Sequence, residues 1–199
     1  MVRYYFCIHY LPERIDTCLV SGRCISILHG FIAKRQCSGI GVSFPQWSNG
    51  SLGKSIAFVS DDKALLELLS EQPYFEMMKN ENVFSISTVN KVPCNSPEVR
   101  FKRNQNIAKC FVGEKKRRLK RAKKRAEARG EEFKPILNSA MREVELFHNV
   151  AVHSKSSNTT LMLHIQKEVN IDKGSNDYGN YGLATNECFK GTVPDLFDL

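Results

Sequence analysis

The chain has 199 residues, 42% of them hydrophobic, and a formal net charge of +8, so it is long enough for one large domain or two small ones with real cores. Seven cysteines form no C-x-x-C pair and no zinc spacing with histidine, which argues against a disulfide framework and a zinc site and fits a reduced, cytoplasmic setting. No apolar run approaches the ~18 residues of a membrane span, and the first residues lack the apolar core of a signal peptide, so no membrane association is expected.

The first 95 residues predict alternating strands and helices. Residues 2–10 are rich in aromatic and β-branched side chains, which is typical of a strand. Asp16 can cap a helix that runs to about residue 34, with apolar residues at helical spacing (Val20, Cys24, Ile27, Leu28, Phe31). Short strands are predicted at 39–44 and 55–59, followed by a helix that Asp61 or Asp62 caps. Pro73 should break that helix, a short turn should run through residue 78, and a fourth strand should span 83–89.

This order, β-α-β-β-α-β, is the ferredoxin-like plan. Pro93 and Pro97 flank a predicted linker, so we expect a ferredoxin-like domain over 1–95 and a C-terminal α/β domain over 96–199 in an overall α+β fold. The C-terminal half should contain a basic segment at 100–109, a basic helix at about 114–130 and an amphipathic helix at about 135–146. Strands are predicted near 150–153, 160–166 and 181–184, with a polar loop at 170–180.

The basic helix is the most unusual feature of the sequence. Glu114 stands at its start, Gly130 ends it, and its apolar stripe (Leu119, Ala122, Ala126) is narrow. Like charges at i, i+4 destabilise an isolated helix by about 0.2–0.5 kcal/mol a pair, so the helix favours a polyanionic partner. A disordered or nuclear-localisation-like basic run is the alternative. Nine of the eleven residues 115–125 are basic: Lys115, Lys116, Arg117, Arg118, Lys120, Arg121, Lys123, Lys124 and Arg125.

The charge is concentrated around this helix. Residues 100–129 contain 14 basic and 2 acidic residues, whereas the rest of the chain carries 15 basic and 19 acidic residues. A basic segment on a mildly acidic body indicates a specific nucleic-acid surface. The stacking sequence of the RNA-recognition motif is absent, so the sheet is not predicted to be the RNA platform. A phosphate-cradling loop is also absent, and Asp61-Asp62 suits a helix cap better than a two-metal site.

Histidine is the remaining catalytic candidate. His29 lies in Leu28-His29-Gly30, late in the first predicted helix. Taken alone, a histidine at such a position is more often a half-buried surface group than a catalytic residue. The serines of HSKSSNTT, taken alone, indicate a hairpin turn, and Tyr181 a packed strand aromatic.

Several short motifs together change that interpretation. They are LHG at 28–30, IGVSFP at 40–45, Arg103-x-Gln105 before the basic helix, the basic helix itself, Ser154-x-Ser156-Ser157, YGL at 181–183, and Val-Pro at 193–194. With these motifs the chain resembles, over nearly its whole length, the CRISPR RNA-processing endoribonucleases of type I-F systems. It looks closest to the branch carried by Tn7-like transposons.

The resemblance implies roles for these residues. His29 acts on the 2′-hydroxyl of the nucleotide before the cut, Ser154 holds that nucleotide, and Tyr181 orients His29. Ser156 or Ser157 could replace Ser154, because the turn aligns only within about two residues, and both are candidate RNA contacts. Arg103 and Gln105 would read base edges at the foot of an RNA hairpin, and the basic helix would lie in its major groove.

The expected chemistry needs no metal and no cofactor, because RNA carries its own nucleophile and histidine titrates near neutrality. The chain departs from the family where lysines replace arginines in the basic helix and where Leu161 replaces a stacking aromatic. The expected partners are the CRISPR RNA repeat hairpin, the backbone and large subunits of the type I-F Cascade complex, and the transposition adaptor protein TniQ. A catalytically inactive hairpin-binding subunit and a DNA-binding regulator remain alternatives, although the sequence has no helix-turn-helix or dimer heptads for the latter.

Overall fold

The computed structural model of the protein describes residues 2–134, 144–154, 159–171 and 174–197. These residues form two β-sheets, four α-helices and one 3₁₀ turn, so the predicted α+β class is confirmed. The helices are α1 Thr17–Arg35, α2 Lys63–Ser70, α3 Pro73–Asn80 and α4 Val112–Ala128, with the 3₁₀ turn at Ile107–Cys110. The strands are β1 Tyr4–Tyr10, β2 Gly41–Ser43, β3 Ser55–Ser60, β4 Phe84–Ile86, β5 Asn90–Lys91, β6 Glu98–Arg103, β7 His148–Ser154, β8 Thr159–Glu168, β9 Ala184–Thr185 and β10 Val193–Pro194.

The first sheet has the strand order β2-β3-β1-β4, with antiparallel neighbours, and β5 also pairs with β1. Asp16 caps α1 by accepting from the backbone N–H of Leu19 at 3.0 Å, as predicted. Of the two candidate caps for α2, Asp62 is the one used. The turn predicted after Pro73 is wrong: Pro73 begins α3, because its fixed φ and missing N–H suit the first helical position.

The second sheet has the strand order β10-β6-β8-β7, with β9 parallel to β6. The sequence analysis did not predict strand β6. Its buried Val99 and Phe101 alternate with charged residues, and most of the segment was assigned to a basic region because of its charge. The strand predicted at 181–184 is also wrong in part: Tyr181 lies in a turn, and only β9 pairs with the sheet. The helix predicted at about 135–146 falls mostly outside the described residues, and residues 144–146 are not helical.

Both sheets contribute to one continuous core. The rings of Phe44 and Phe101 lie 5.2 Å apart, and Trp47 lies 5.5 Å from Phe101. Helix α1 packs on β7 so closely that a Cβ at Gly22 would lie 2.0 Å from the carbonyl oxygen of Ala151. A division into domains at residues 95 and 96 stays a prediction, since the two halves bury one hydrophobic cluster together.

Helix α4 contains the whole basic run 115–125, so the run is ordered as a helix of ~26 Å. It begins two residues earlier than predicted. Gly130, at φ +71°, follows its end, and the N–H of Glu131 reaches back to the carbonyl of Ala126 at 3.0 Å. Leu119 is exposed, Ala122 is half-buried and Ala126 is buried, so the burial of the apolar stripe increases toward the C-terminal end of the helix.

Candidate active site

His29 lies in the second half of α1, with its ring half-buried. Its Nδ1 is 3.2 Å from the backbone carbonyl oxygen of Asn180. Because a carbonyl oxygen can only accept, the neutral imidazole in this contact carries its proton on Nδ1. Nε2 therefore holds the lone pair and is the nitrogen that can accept a proton.

Tyr181 stacks on His29, with ring centroids 4.5 Å apart and 19° between the planes. The turn that carries it is tied to β2, since the N–H of Val42 donates to the carbonyl of Gly182 at 2.8 Å. Gly182 has φ +70°, and a Cβ there would lie 2.7 Å from Cδ2 of Leu28. Only glycine fits this position without strain, and it lets the turn approach α1 closely enough for the two rings to meet.

Arg103 joins the same group from the end of β6. Its guanidinium carbon lies 5.5 Å from the centre of the Tyr181 ring, within the range of a cation–π contact. When the Gln105 amide is oriented to satisfy both groups, its oxygen accepts from Nε of Arg103 at 2.5 Å and from Nη2 at 2.9 Å. The two predicted base readers thus contact each other, and through Tyr181 they connect with His29.

His29, Tyr181 and Arg103 line a cleft of about 230 Å³. Three residues to which the sequence analysis gave no role at the site (Leu183, Thr185, Phe189) also line it. No motif marks Phe189, which hydrogen bonds between its backbone and Thr185 of β9 place in the cleft. A cleft with a proton-accepting imidazole, a guanidinium and an apolar wall can hold a phosphate next to a ring and remove a proton beside it.

The serines are not all placed. Ser154 is the last residue of β7, but its side chain is not among those the structure describes, and Ser156 and Ser157 lie outside the described residues. Their roles stay predictions. Leu161, which the sequence resemblance places at the position of a stacking aromatic, is half-buried in β8.

The described basic side chains of α4 are exposed, and the side chain of Lys115 is not described. Two arginines turn back onto the helix: Arg121 Nε donates to the carbonyl of Arg117 at 3.4 Å, and Arg125 Nε to that of Arg121 at 3.3 Å. Lys123 lies 3.8 Å from Glu127, an exposed pair that stabilises little. The helix thus keeps a strongly positive, solvated surface.

An aromatic cluster at the base of α4 was missed by the sequence analysis. His164 of β8 is buried, contacts Oδ1 of Asn149 through Nδ1 at 2.6 Å, and packs 5.5 Å from Phe111 and 5.7 Å from Phe147. Burial lowers the pKa of His164, and the nearby charge of Arg103 lowers it further. The cluster anchors the residue that directly precedes α4.

No group of three or more His, Cys, Asp or Glu side chains in the described part of the chain is arranged to hold a metal ion. The described helices are also too short or too polar for any of them to cross a membrane.

Comparison with known proteins identifies the family. The model of the family described as CRISPR-associated protein (Cas_Csy4) matches residues 5–196. A search of curated proteins finds no match. Among solved structures, one similar chain is described as "Crystal structure of CRISPR RNA processing endoribonuclease Cas6b", with 13% identity, coverage of 98% of this chain and 100% of that chain, and a TM-score of only 0.31. Since the family match spans nearly all of the sequence, the chain belongs to the Cas_Csy4 family of CRISPR-associated proteins.

Proposed function

We propose that the protein is a metal-independent endoribonuclease that cuts precursor CRISPR RNA at the 3′ base of the repeat hairpin. The observation that carries this proposal is the stack of His29 on Tyr181, with Nδ1 engaged by a backbone carbonyl and Arg103 in the same cleft. The family match supports it, because it spans the residues that form the cleft.

In the proposed reaction, Nε2 of His29 accepts the proton of the 2′-hydroxyl on the nucleotide before the cut. The resulting oxygen attacks the adjacent phosphorus and the bond from phosphorus to the 5′ oxygen breaks. The 5′ oxygen takes up a proton from solvent and His29 returns its proton to solvent, so the products are a 2′,3′-cyclic phosphate, or a 3′-phosphate after hydrolysis, and a 5′-hydroxyl. Holding the sugar beside His29 supplies much of the rate, and Ser154 is the candidate for this task.

Helix α4 would lie in the major groove of the hairpin. An A-form major groove is deep and narrow, so the helix can enter only near the end of a short stem. Most contacts would go to phosphates, and base edges would be read by Arg103 and Gln105. The lysines of the helix keep its charge but cannot form bidentate contacts with phosphate.

We further propose that the protein stays bound to its product hairpin as a subunit of a type I-F Cascade complex in the cytoplasm. In the transposon-associated branch, the adaptor protein TniQ would meet this end of the complex. In this proposal the ferredoxin-like half, 1–95, carries His29, and the half 96–199 carries the RNA-binding helix.

The test uses repeat RNA in the presence of EDTA with the wild type, His29→Ala and His9→Ala. His9 lies in β1 and does not line the cleft, so it is a matched control. We expect the wild type and His9→Ala to give a 5′-hydroxyl product, and His29→Ala to bind the hairpin without cutting it. A requirement for Mg²⁺ would contradict the proposed mechanism. Tight binding without cleavage by the wild type would instead identify an inactive hairpin-binding subunit.

A further inference from the structure

One wall of the cleft has no role in the proposed chemistry. Phe189 is half-buried and lines the same cleft as the catalytic candidates, together with the buried Leu183. A cleft that combines an aromatic and an aliphatic wall with a guanidinium and a backbone carbonyl is suited to a flat, polar-edged ring.

Phe189 is held firmly in this position. The N–H of Thr185 donates to the carbonyl of Phe189 at 3.0 Å, and the N–H of Phe189 donates back to Oγ1 of Thr185 at 3.1 Å. Thr185 itself pairs with Arg103 across β9 and β6. The Phe189 ring also packs beside Gly179, where an added Cβ would lie 3.4 Å from Cδ2 of the ring. The wall is therefore preorganised, which lowers the entropy cost of binding a ring against it.

The volume of the cleft fits such a ligand. A cavity of ~150 Å³ is enough to bind benzene, so the cleft, at about 230 Å³, can admit a larger ring. Nucleobases commonly stack on phenylalanine, and a guanidinium can bind their polar edges.

We propose that Phe189 forms a subsite for the nucleobase of the first unpaired nucleotide on the 3′ side of the cut. This proposal rests on the proposed function, because it needs a scissile phosphate beside His29. Bases within the stem are paired and stacked and cannot enter a cleft of this kind, whereas the first nucleotide beyond the stem is free to turn into it. The subsite would place that nucleotide so that its 5′ oxygen, the leaving group, faces away from the attacking 2′-hydroxyl.

The test compares single-turnover cleavage, with saturating protein, of three RNAs: the unmodified repeat, the repeat with an abasic first nucleotide after the cut, and the repeat with an abasic third nucleotide after it. We expect the first abasic RNA to be cut about 5- to 150-fold more slowly, the range for loss of one base–aromatic stack, and the second at the normal rate. Phe189→Leu should slow cleavage of the unmodified RNA by a similar factor, and it should slow cleavage of the first abasic RNA little further.

Equal rates for all three RNAs would overturn the subsite while leaving the proposed function intact. Equal slowing of unmodified and abasic RNA by Phe189→Leu would also overturn it. Failure of the wild type to cut the unmodified RNA would refute the proposed function itself. If Phe189→Leu does not fold, the comparison of the three RNAs with the wild-type protein still decides whether the subsite exists.

Discussion

Replacing Gly182 by alanine should pull the Tyr181 turn away from α1. Gly182 combines a left-handed backbone, φ +70°, with close approach to two buried side chains. An added Cβ would lie 2.6 Å from Cγ2 of Val42 and 2.7 Å from Cδ2 of Leu28, which are 1% and 0% exposed. Neither side chain can move aside without disturbing the core, so the turn itself must shift.

The magnitude follows from two terms. A left-handed conformation costs a non-glycine residue about 1–2 kcal/mol, and overpacking a filled core costs about 1–3 kcal/mol. Because a shift of the turn relieves part of both, we expect Gly182→Ala to lose about 2–4 kcal/mol of unfolding free energy. For a chain of this size the melting temperature should fall by roughly 4–16 °C.

The assay combines thermal unfolding with single-turnover cleavage of repeat RNA at a temperature where the variant stays folded. The rate should fall with little loss of hairpin affinity, because Tyr181 would no longer hold His29 while α4 is unchanged. Gly30→Ala is the matched control. A Cβ at Gly30 meets no heavy atom within 4 Å, and alanine in a helix should add about 0.5–1 kcal/mol. Wild-type stability and rate in Gly182→Ala would refute the reasoning.

Three further predictions concern packing, pH and salt. Gly22→Ala should lower the free energy of urea unfolding by about 3 kcal/mol, although alanine has the better helix propensity, because the backbone of Ala151 cannot move away from the added Cβ. A stabilised variant would contradict this. Burial lowers the pKa of His164, so the unfolded chain binds a proton at this residue more readily than the folded protein does, and stability should fall as the pH drops below about 6.5. Urea unfolding at about pH 8 and about pH 5.5 measures this loss of unfolding free energy, which should be smaller in His164→Gln than in the wild type. An unchanged fall would assign the pH dependence elsewhere. Glutamine at three exposed lysines of α4 (Lys120, Lys123, Lys124) should leave stability unchanged. It should reduce the slope of log hairpin affinity against log salt concentration by about 1 for each lost phosphate contact. Lys63→Gln in α2 should leave that slope unaltered.

Local chemistry made much of the fold predictable. Asp16 and Asp62 cap helices through bonds that span only three residues. Of the five apolar residues predicted on one face of α1, four are buried and Ile27 is half-buried. The basic run forms a helix where its composition and its glycine indicated one. The turn predicted after Pro73 was wrong because a proline that ends one helix can equally begin the next.

The site depended on contacts that no local pattern records. His29 and Tyr181 meet across about 150 residues of chain, through a turn that a hydrogen bond to β2 holds in place. Taken residue by residue, each had an ordinary structural interpretation, and only the family resemblance connected them. The contact of Arg103 with Tyr181, and the wall that Phe189 forms, required the pairing of β6 with β9.

The most direct test of the account is cleavage of repeat RNA that carries a single 2′-deoxy nucleotide immediately before the cut. The account predicts that the protein binds this RNA as tightly as the unmodified hairpin and releases no product, because the proton that His29 should accept and the attacking oxygen are both missing. Cleavage of the 2′-deoxy RNA at the rate of the unmodified RNA would contradict it.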